Sequence, residues 1–168
     1  MLIHVCPLSR LDATVTGTGA RHIVTLINSD TVVRRPSCVE EANHLFLGMN
    51  DILGPMDGHV HPGEDHLDKL LAFLGTWDRS APLVIHCFAG VSRSTAAAFV
   101  AACALDPRRD EMEAALALRA ASPTATPNAL IVALADARLA RAGRMITAIR
   151  AIGRGEDCYE GTPFEYRI

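Results

Sequence analysis

Apolar positions along the chain recur with two different periods. Short, mostly branched runs at Leu2–Cys6, His22–Ile27, Leu45–Met49 and Leu83–Ile85 are bounded by Pro, Gly, Asn or Asp, and their length predicts strands. Elsewhere the spacing changes to three and four. Leu67, Leu70, Leu71 and Leu74 share one helical face, with Glu64 and Asp65 complementing the dipole at its start and Gly75 closing it. Ala96 to Leu105 is apolar throughout and too long for a strand, which predicts a buried helix. Weaker signals predict a short helix or turn over Ser9–Thr16, closed by a Gly17-Thr18-Gly19 linker, and another short helix at Glu40–Asn43. Asp106-Pro107 and Thr126-Pro127 each read as a cap and first turn, giving helices to about Ala121 and to Ala142 with Gly143 as the stop. Arg144–Ile152 completes the helices, and an irregular tail is expected from about residue 153.

Strands alternating with helices predict an α/β fold, with a mostly parallel central sheet flanked by helices. The 168 residues fit a single domain over 1–168. In such sheets ligands gather beyond the carboxyl ends of the strands. Composition narrows the partners. A net charge of −3 gives no general attraction to nucleic acid or to a membrane surface, and no apolar run is long enough to insert in a bilayer. The first residues lack the basic region of a signal peptide. Five cysteines, odd in number and unpatterned (Cys6, Cys38, Cys87, Cys103, Cys158), suit a reducing cytoplasm. Most read as small buried hydrophobes, a redox partner for Cys87 being the alternative role for one of them. Lys69 is the sole lysine, so cationic chemistry falls to arginine.

The candidate chemistry lies between the last predicted strand and the apolar helix, in His86-Cys87-Phe88-Ala89-Gly90-Val91-Ser92-Arg93-Ser94. A loop that opens a helix turns its N–H groups and the positive end of the dipole toward one spot. Gly90 permits the bend, and successive amides then form an anion nest. Arg93 adds a planar fork matched to two oxygens of a phosphoryl group. Cys87 stands at the start of the loop, aimed at whatever the nest holds, where dipole, amides and guanidinium all favour the thiolate. A Cys-x5-Arg-Ser match is expected by chance roughly 0.02 times in a chain of this composition.

His-Cys-x-x-Gly-x-x-Arg-Ser resembles, without departure, the signature of the cysteine-dependent protein tyrosine and dual-specificity phosphatases. The likeness is strong over residues 83 to 95 and loose from about 20 to 140, with Pro127-Asn128 also similar to small members of that family. It implies the phosphotyrosine-phosphatase-like fold, with the phosphate loop between a central strand and a helix. It implies Cys87 as nucleophile, Arg93 and the amides of Phe88, Ala89, Gly90, Val91 and Ser92 as phosphate binders, Ser94 as the aid to the departing thiolate and His86 as a support for the loop. No metal and no cofactor are implied.

A phosphate ester's leaving oxygen needs a proton donor on a loop at the same sheet edge. Asp51 directly follows the strand ending at Met49, at a separation similar to that of the family's acid loop, and is the expected acid. Asp57, in the same loop, is the rival. A decoy sits beside them. Asp57-Gly58-His59-Val60-His61 resembles the first metal-ligand segment of amidohydrolases, but those need a (β/α)8 barrel of ~250 residues. His59 and His61 are therefore expected to be polar loop residues. Asn128 either reaches the pocket or caps a helix. Arg138, Arg141, Arg144, Arg150 and Arg154 read as a solvated basic face, or as a docking patch for an acidic partner. Phe88 either contacts a substrate ring or points into the core.

The expected activity is metal-independent phosphomonoester hydrolysis in the cytoplasm through a cysteinyl-phosphate. The substrate is a phosphorylated protein or peptide, with phosphotyrosine favoured, because Arg93 is the lone cation of the loop and matches one phosphate. The competing reading is a pseudophosphatase that binds phosphate without turnover.

Overall fold

A computed structural model describes residues 1–168. Its centre is a five-stranded sheet of β1 (Leu2–Pro7), β2 (His22–Ile27), β3 (His44–Gly48), β4 (Leu83–Cys87) and β5 (Phe164–Arg167), in the order β3-β2-β4-β1-β5. The first four strands run parallel, and β5 lies antiparallel on the outer edge of β1. The expected α/β class and mostly parallel sheet are what the chain adopts. β4 is buried along its whole length, as expected of a central parallel strand covered on both faces.

Six helices flank the sheet: α1 (Leu11–Thr18), α2 (Glu64–Thr76), α3 (Arg93–Leu105), α4 (Glu111–Ala121), α5 (Ala129–Arg138) and α6 (Arg144–Ile152). On one face Leu11 and Val15 of α1 pack with Cys6, Ile23, Val39 and Val84. The larger core, on the other face, gathers residues from α2 to α6 around α3. Every residue of α3 from Arg93 to Cys103 is buried, and its alanines let it lie close against β1, β2 and β4. No helix is long and apolar enough to cross a membrane.

Several expectations need correction. The predicted linker at 17–19 is the end of α1, which runs to Thr18 before Gly19 leaves it at φ +70°. Asp106 follows the last turn of α3 and opens no helix. It accepts from the Arg108 amide in a turn, and α4 starts later, where Asp110 accepts from the Glu113 amide at 2.8 Å. In the same way α5 is capped by Asn128 rather than by Thr126. It ends at Arg138 because Asp136 turns its carboxylate to the amides of Gly143 and Met145, fixing the start of α6. The predicted irregular tail contains β5, whose Tyr166 is buried and donates its hydroxyl to the Ala114 carbonyl at 2.8 Å. The basic face is not uniformly solvated, since Arg141 is 6% exposed and paired with Glu111 at 2.8 Å.

Candidate active site

The loop joining β4 to α3 is held by its carbonyls. That of Phe88 accepts from the Leu8 amide, that of Ala89 from Gly161, and that of Val91 from Thr126 and from the Thr95 hydroxyl. The Ser92 carbonyl accepts from the amides of Ala96 and Asn128. Turned outward in this way, the carbonyls leave the N–H groups of Phe88, Ala89, Val91 and Ser92 without an acceptor in the chain. Gly90 is required twice over. Its φ is +71°, and a Cβ there would stand 2.7 Å from the Pro7 nitrogen at the end of β1.

Cys87 ends β4 and is 2% exposed. Its Sγ accepts from the Gly90 N–H at 3.2 Å and lies 3.1 Å from Ser94 Oγ. Arg93 opens α3 and is 5% exposed. Its Nη1 donates to Asn28 Oδ1 at 3.0 Å and to the Met49 carbonyl at 2.6 Å. Its buried Nε has no hydrogen-bond partner, the nearest carboxylate oxygen, Asp51 Oδ2, being 3.9 Å away. An orphaned donor inside a protein is costly unless a ligand satisfies it. A cavity of about 460 Å³ opens there, with Asn28, Asp51, Ile52, His59, Phe88 and Arg93 in its wall.

Behind the loop, His86 is fully buried. Burial pulls its pKa down to about 4, against hydrogen bonding to Cys87 that favours the charged form. The ring is therefore neutral near pH 7. The Thr25 hydroxyl lies 2.6 Å from His86 Nε2 and 2.8 Å from His44 Nε2. A hydroxyl has one proton to give, so it donates to one imidazole and accepts from the other, and the two rings carry opposite tautomers at Nε2. Burial, with Arg35 nearby, lowers the pKa of His44 as well.

Asp51 meets the loop as the edge argument required. Its Oδ1 accepts from Ser92 Oγ at 2.7 Å and from Asn128 Nδ2 at 2.8 Å. Asp57 is exposed, lies outside the cavity wall and offers its backbone carbonyl to the His59 ring. His59 is in the wall, whereas His61 faces the Pro62 carbonyl at 2.7 Å. No three His, Cys, Asp or Glu side chains come together in a group that could hold a metal ion. Phe88 is 55% exposed, at the cavity rim rather than in the core. All five cysteines are free, and burial holds Cys6 and Cys103 as thiols, with pKa values of about 12.

Sequence reasoning missed Asn28, Thr25 and His44. Asn28 was open to discovery, because it follows β2 at the same edge at which Asp51 follows β3. Thr25 and His44 lie within strands, and no local signal marks them.

No family model and no curated protein matches the chain. Solved structures do match its fold. The Cydia pomonella PTP-2 phosphatase aligns over 80% of this chain and 84% of its own, at 22% identity with a TM-score of 0.63. Human DUSP28 aligns over 83% of this chain and 88% of its own, at 16% identity and a TM-score of 0.62. A mouse protein titled a dual specificity phosphatase, solved complexed with zinc tungstate, aligns over 87% of this chain and 84% of its own, at 19% identity and a TM-score of 0.59. The fold is thus that of protein tyrosine and dual-specificity phosphatases.

Proposed function

We propose that the protein hydrolyses phosphomonoesters through a cysteinyl-phosphate, with phosphotyrosine in proteins as the favoured substrate. The observation that carries this reading is Arg93, which stands in the cavity wall anchored by Nη1 on two neutral acceptors, its Nε left without a hydrogen-bond partner. The outward-turned carbonyls of the loop support it, since they leave amides free for the same oxyanion. In the reaction the Cys87 thiolate attacks phosphorus and the phosphorus–oxygen ester bond breaks. Asp51 delivers its proton to the departing oxygen. Water then attacks the cysteinyl-phosphate, giving a proton back to Asp51, and the sulfur leaves as a thiolate stabilised by the Ser94 hydroxyl and the Gly90 amide. Arg93 and the amides bind the equatorial oxygens throughout, so the step requires no metal ion.

One phosphate is matched by one cation at the floor, and Phe88 at the rim offers an apolar surface to a phenyl ring. Five free cysteines suit the reducing cytoplasm in which we set this activity. The test is turnover of p-nitrophenyl phosphate and of a phosphotyrosine peptide with EDTA present. The wild-type protein is expected to hydrolyse both, and Cys87→Ser to bind vanadate or phosphate while turning over neither. Substantial turnover by Cys87→Ser, or loss of wild-type activity to the chelator, would sink the mechanism.

A further inference from the structure

Asn128 uses all four hydrogen-bonding positions of its amide. Oδ1 accepts from the backbone N–H groups of Leu130 and Ile131, both at 3.1 Å, and so caps α5. Nδ2 donates to Asp51 Oδ1 at 2.8 Å and reaches toward the Ile52 carbonyl at 3.4 Å. The Asn128 backbone N–H donates to the Ser92 carbonyl at 3.3 Å. One buried residue thereby ties the start of α5 to the phosphate loop and to the loop that bears Asp51.

The amide cannot be turned over. A flipped side chain would set its NH2 against two backbone N–H donors and its oxygen against a carboxylate oxygen and a carbonyl. The cap therefore dictates that Asn128 faces Asp51 as a donor. With Ser92 Oγ–H on the same oxygen, Asp51 Oδ1 is occupied by two donors. Oδ2 is left on the Arg93 side, at 3.9 Å from Nε.

We propose that Asn128 is a positioning residue for proton transfer. By binding Oδ1 it fixes the rotation of the Asp51 carboxyl and reserves Oδ2 as the oxygen that carries the transferred proton. This rests on Asp51 being the acid of the proposed reaction. Besides Asn128, the groups around that carboxyl are Ser92 and Arg93 from the phosphate-loop side and His59, which shares the cavity wall. Cys87 lies deeper, beneath the loop, and Asp57 stands outside the wall on Asp51's own loop.

Asn128→Asp separates the two tasks of this side chain. Aspartate caps a helix as well as asparagine does, so the variant keeps α5, but it presents an acceptor and a negative charge to Asp51 in place of a donor. Thermal unfolding of the variant is expected to remain cooperative, at a midpoint lowered by the carboxylate it sets against Asp51. Its kcat on phenyl phosphate, a poor leaving group, falls roughly tenfold or more, because misoriented proton donors lose at least that much. Its kcat on p-nitrophenyl phosphate falls less, and the alkaline limb of the pH–rate profile moves to higher pH under the added negative charge. Asn128→Ser, a cap without a charge or a second donor, lowers kcat on phenyl phosphate with no upward move of that limb. In an Asp51→Asn background neither substitution costs anything further. Unchanged leaving-group dependence and pH limb in a stable Asn128→Asp would overturn the proposal and leave Asn128 as a helix cap alone. If Asp51→Asn itself spares phenyl phosphate in an otherwise active enzyme, the acid reading falls and this inference with it. A readout independent of turnover is NMR of the Asn128 side-chain amide. Its resonances are expected to shift as the Asp51 carboxyl titrates and to stay still in Asp51→Asn, and no shift in the wild-type protein would equally overturn the proposal.

Discussion

Two buried arginines stand at opposite ends of α3 and have opposite surroundings. Arg141, after α5, gives Nη1 to Glu111 Oε1 and to the Arg109 carbonyl, and Nη2 to the carbonyls of Cys103 and Asp106. Glu111 also accepts from Arg144 Nε at 3.1 Å. Burial works to raise the Glu111 carboxyl, but the hydrogen bonds from Arg144 and Arg141 outweigh it, and its pKa lies below the ordinary carboxylate value. Arg93 has no carboxylate in hydrogen-bonding contact, the nearest, Asp51 Oδ2, standing 3.9 Å from its Nε. Its Nη1 rests on an amide oxygen and a carbonyl, which fix its direction without neutralising its charge. A cation neutralised by its own chain holds a fold together. One aimed by neutral dipoles is still available to an anion from outside.

The largest test of that contrast exchanges the two residues' fates. Arg93→Lys is expected to lower kcat/KM by roughly a thousandfold, since an ammonium cannot make the two-pronged contact, while unfolding free energy stays near wild type. Arg141→Ala is expected to lose about 3 kcal/mol of stability, because Glu111 keeps only Arg144 and the carbonyls of Cys103 and Asp106 lose a buried donor, with kcat per folded molecule unchanged. Urea unfolding and steady-state kinetics on both variants decide it, and a large stability loss in Arg93→Lys would erase the distinction.

Acid probes the two regions in different pH windows. His86 has an ordinary pKa of 6.5 and a folded value of about 4, so between those values the unfolded chain binds a proton that the folded one refuses. Stability is therefore full above pH 6.5 and falls as the pH drops toward 4, by about 3 kcal/mol from this group. Glu111, with a lowered folded pKa, contributes above the ordinary carboxylate value and loses that contribution only below it. Urea denaturation across pH 7 to 3 is expected to show both losses, the first from His86 and the second from Glu111. A flat response between pH 6.5 and 4 would contradict the burial of a neutral His86.

The smallest effect comes from the strand that closes the sheet. Tyr166→Phe removes the hydroxyl bond to the Ala114 carbonyl and is expected to cost about 1 kcal/mol, with kinetic constants unchanged. A change in kcat without a change in stability would place β5 closer to the chemistry than its geometry suggests.

The loop between β4 and α3 was legible as a candidate site because an anion nest needs contiguous amides, so its residues must be neighbours in sequence. Asp51 was legible because a strand end lies beside it. Arg141 was not, since its burial depends on Glu111, which lies 30 residues away at the start of α4. The starts of α4 and α5 were misplaced because Asp106 and Thr126 are good local caps in their own right, and only tertiary packing selects Asp110 and Asn128. In β5, Phe164-Glu165-Tyr166-Arg167 does alternate, but four residues are too few for the pattern to rise above a loop.

The carbonyls that hold the loop between β4 and α3 have a temporal meaning as well. Their partners are Leu8, made before the loop, and Thr126, Asn128 and Gly161, made well after it. Synthesis runs at about 5–20 residues per second and folding follows it from the amino-terminal side. A nascent chain ending at Leu105 carries the complete Cys87–Arg93 motif with only the Leu8 tie and the contacts from Thr95 and Ala96, all within reach of the first half of the chain. The Gly161 tie to Ala89 closes last. The loop takes its final shape only when the segment after α6 has docked, so Cys87 leaves the ribosome on a half-tied loop and is held in its folded geometry near the end of translation.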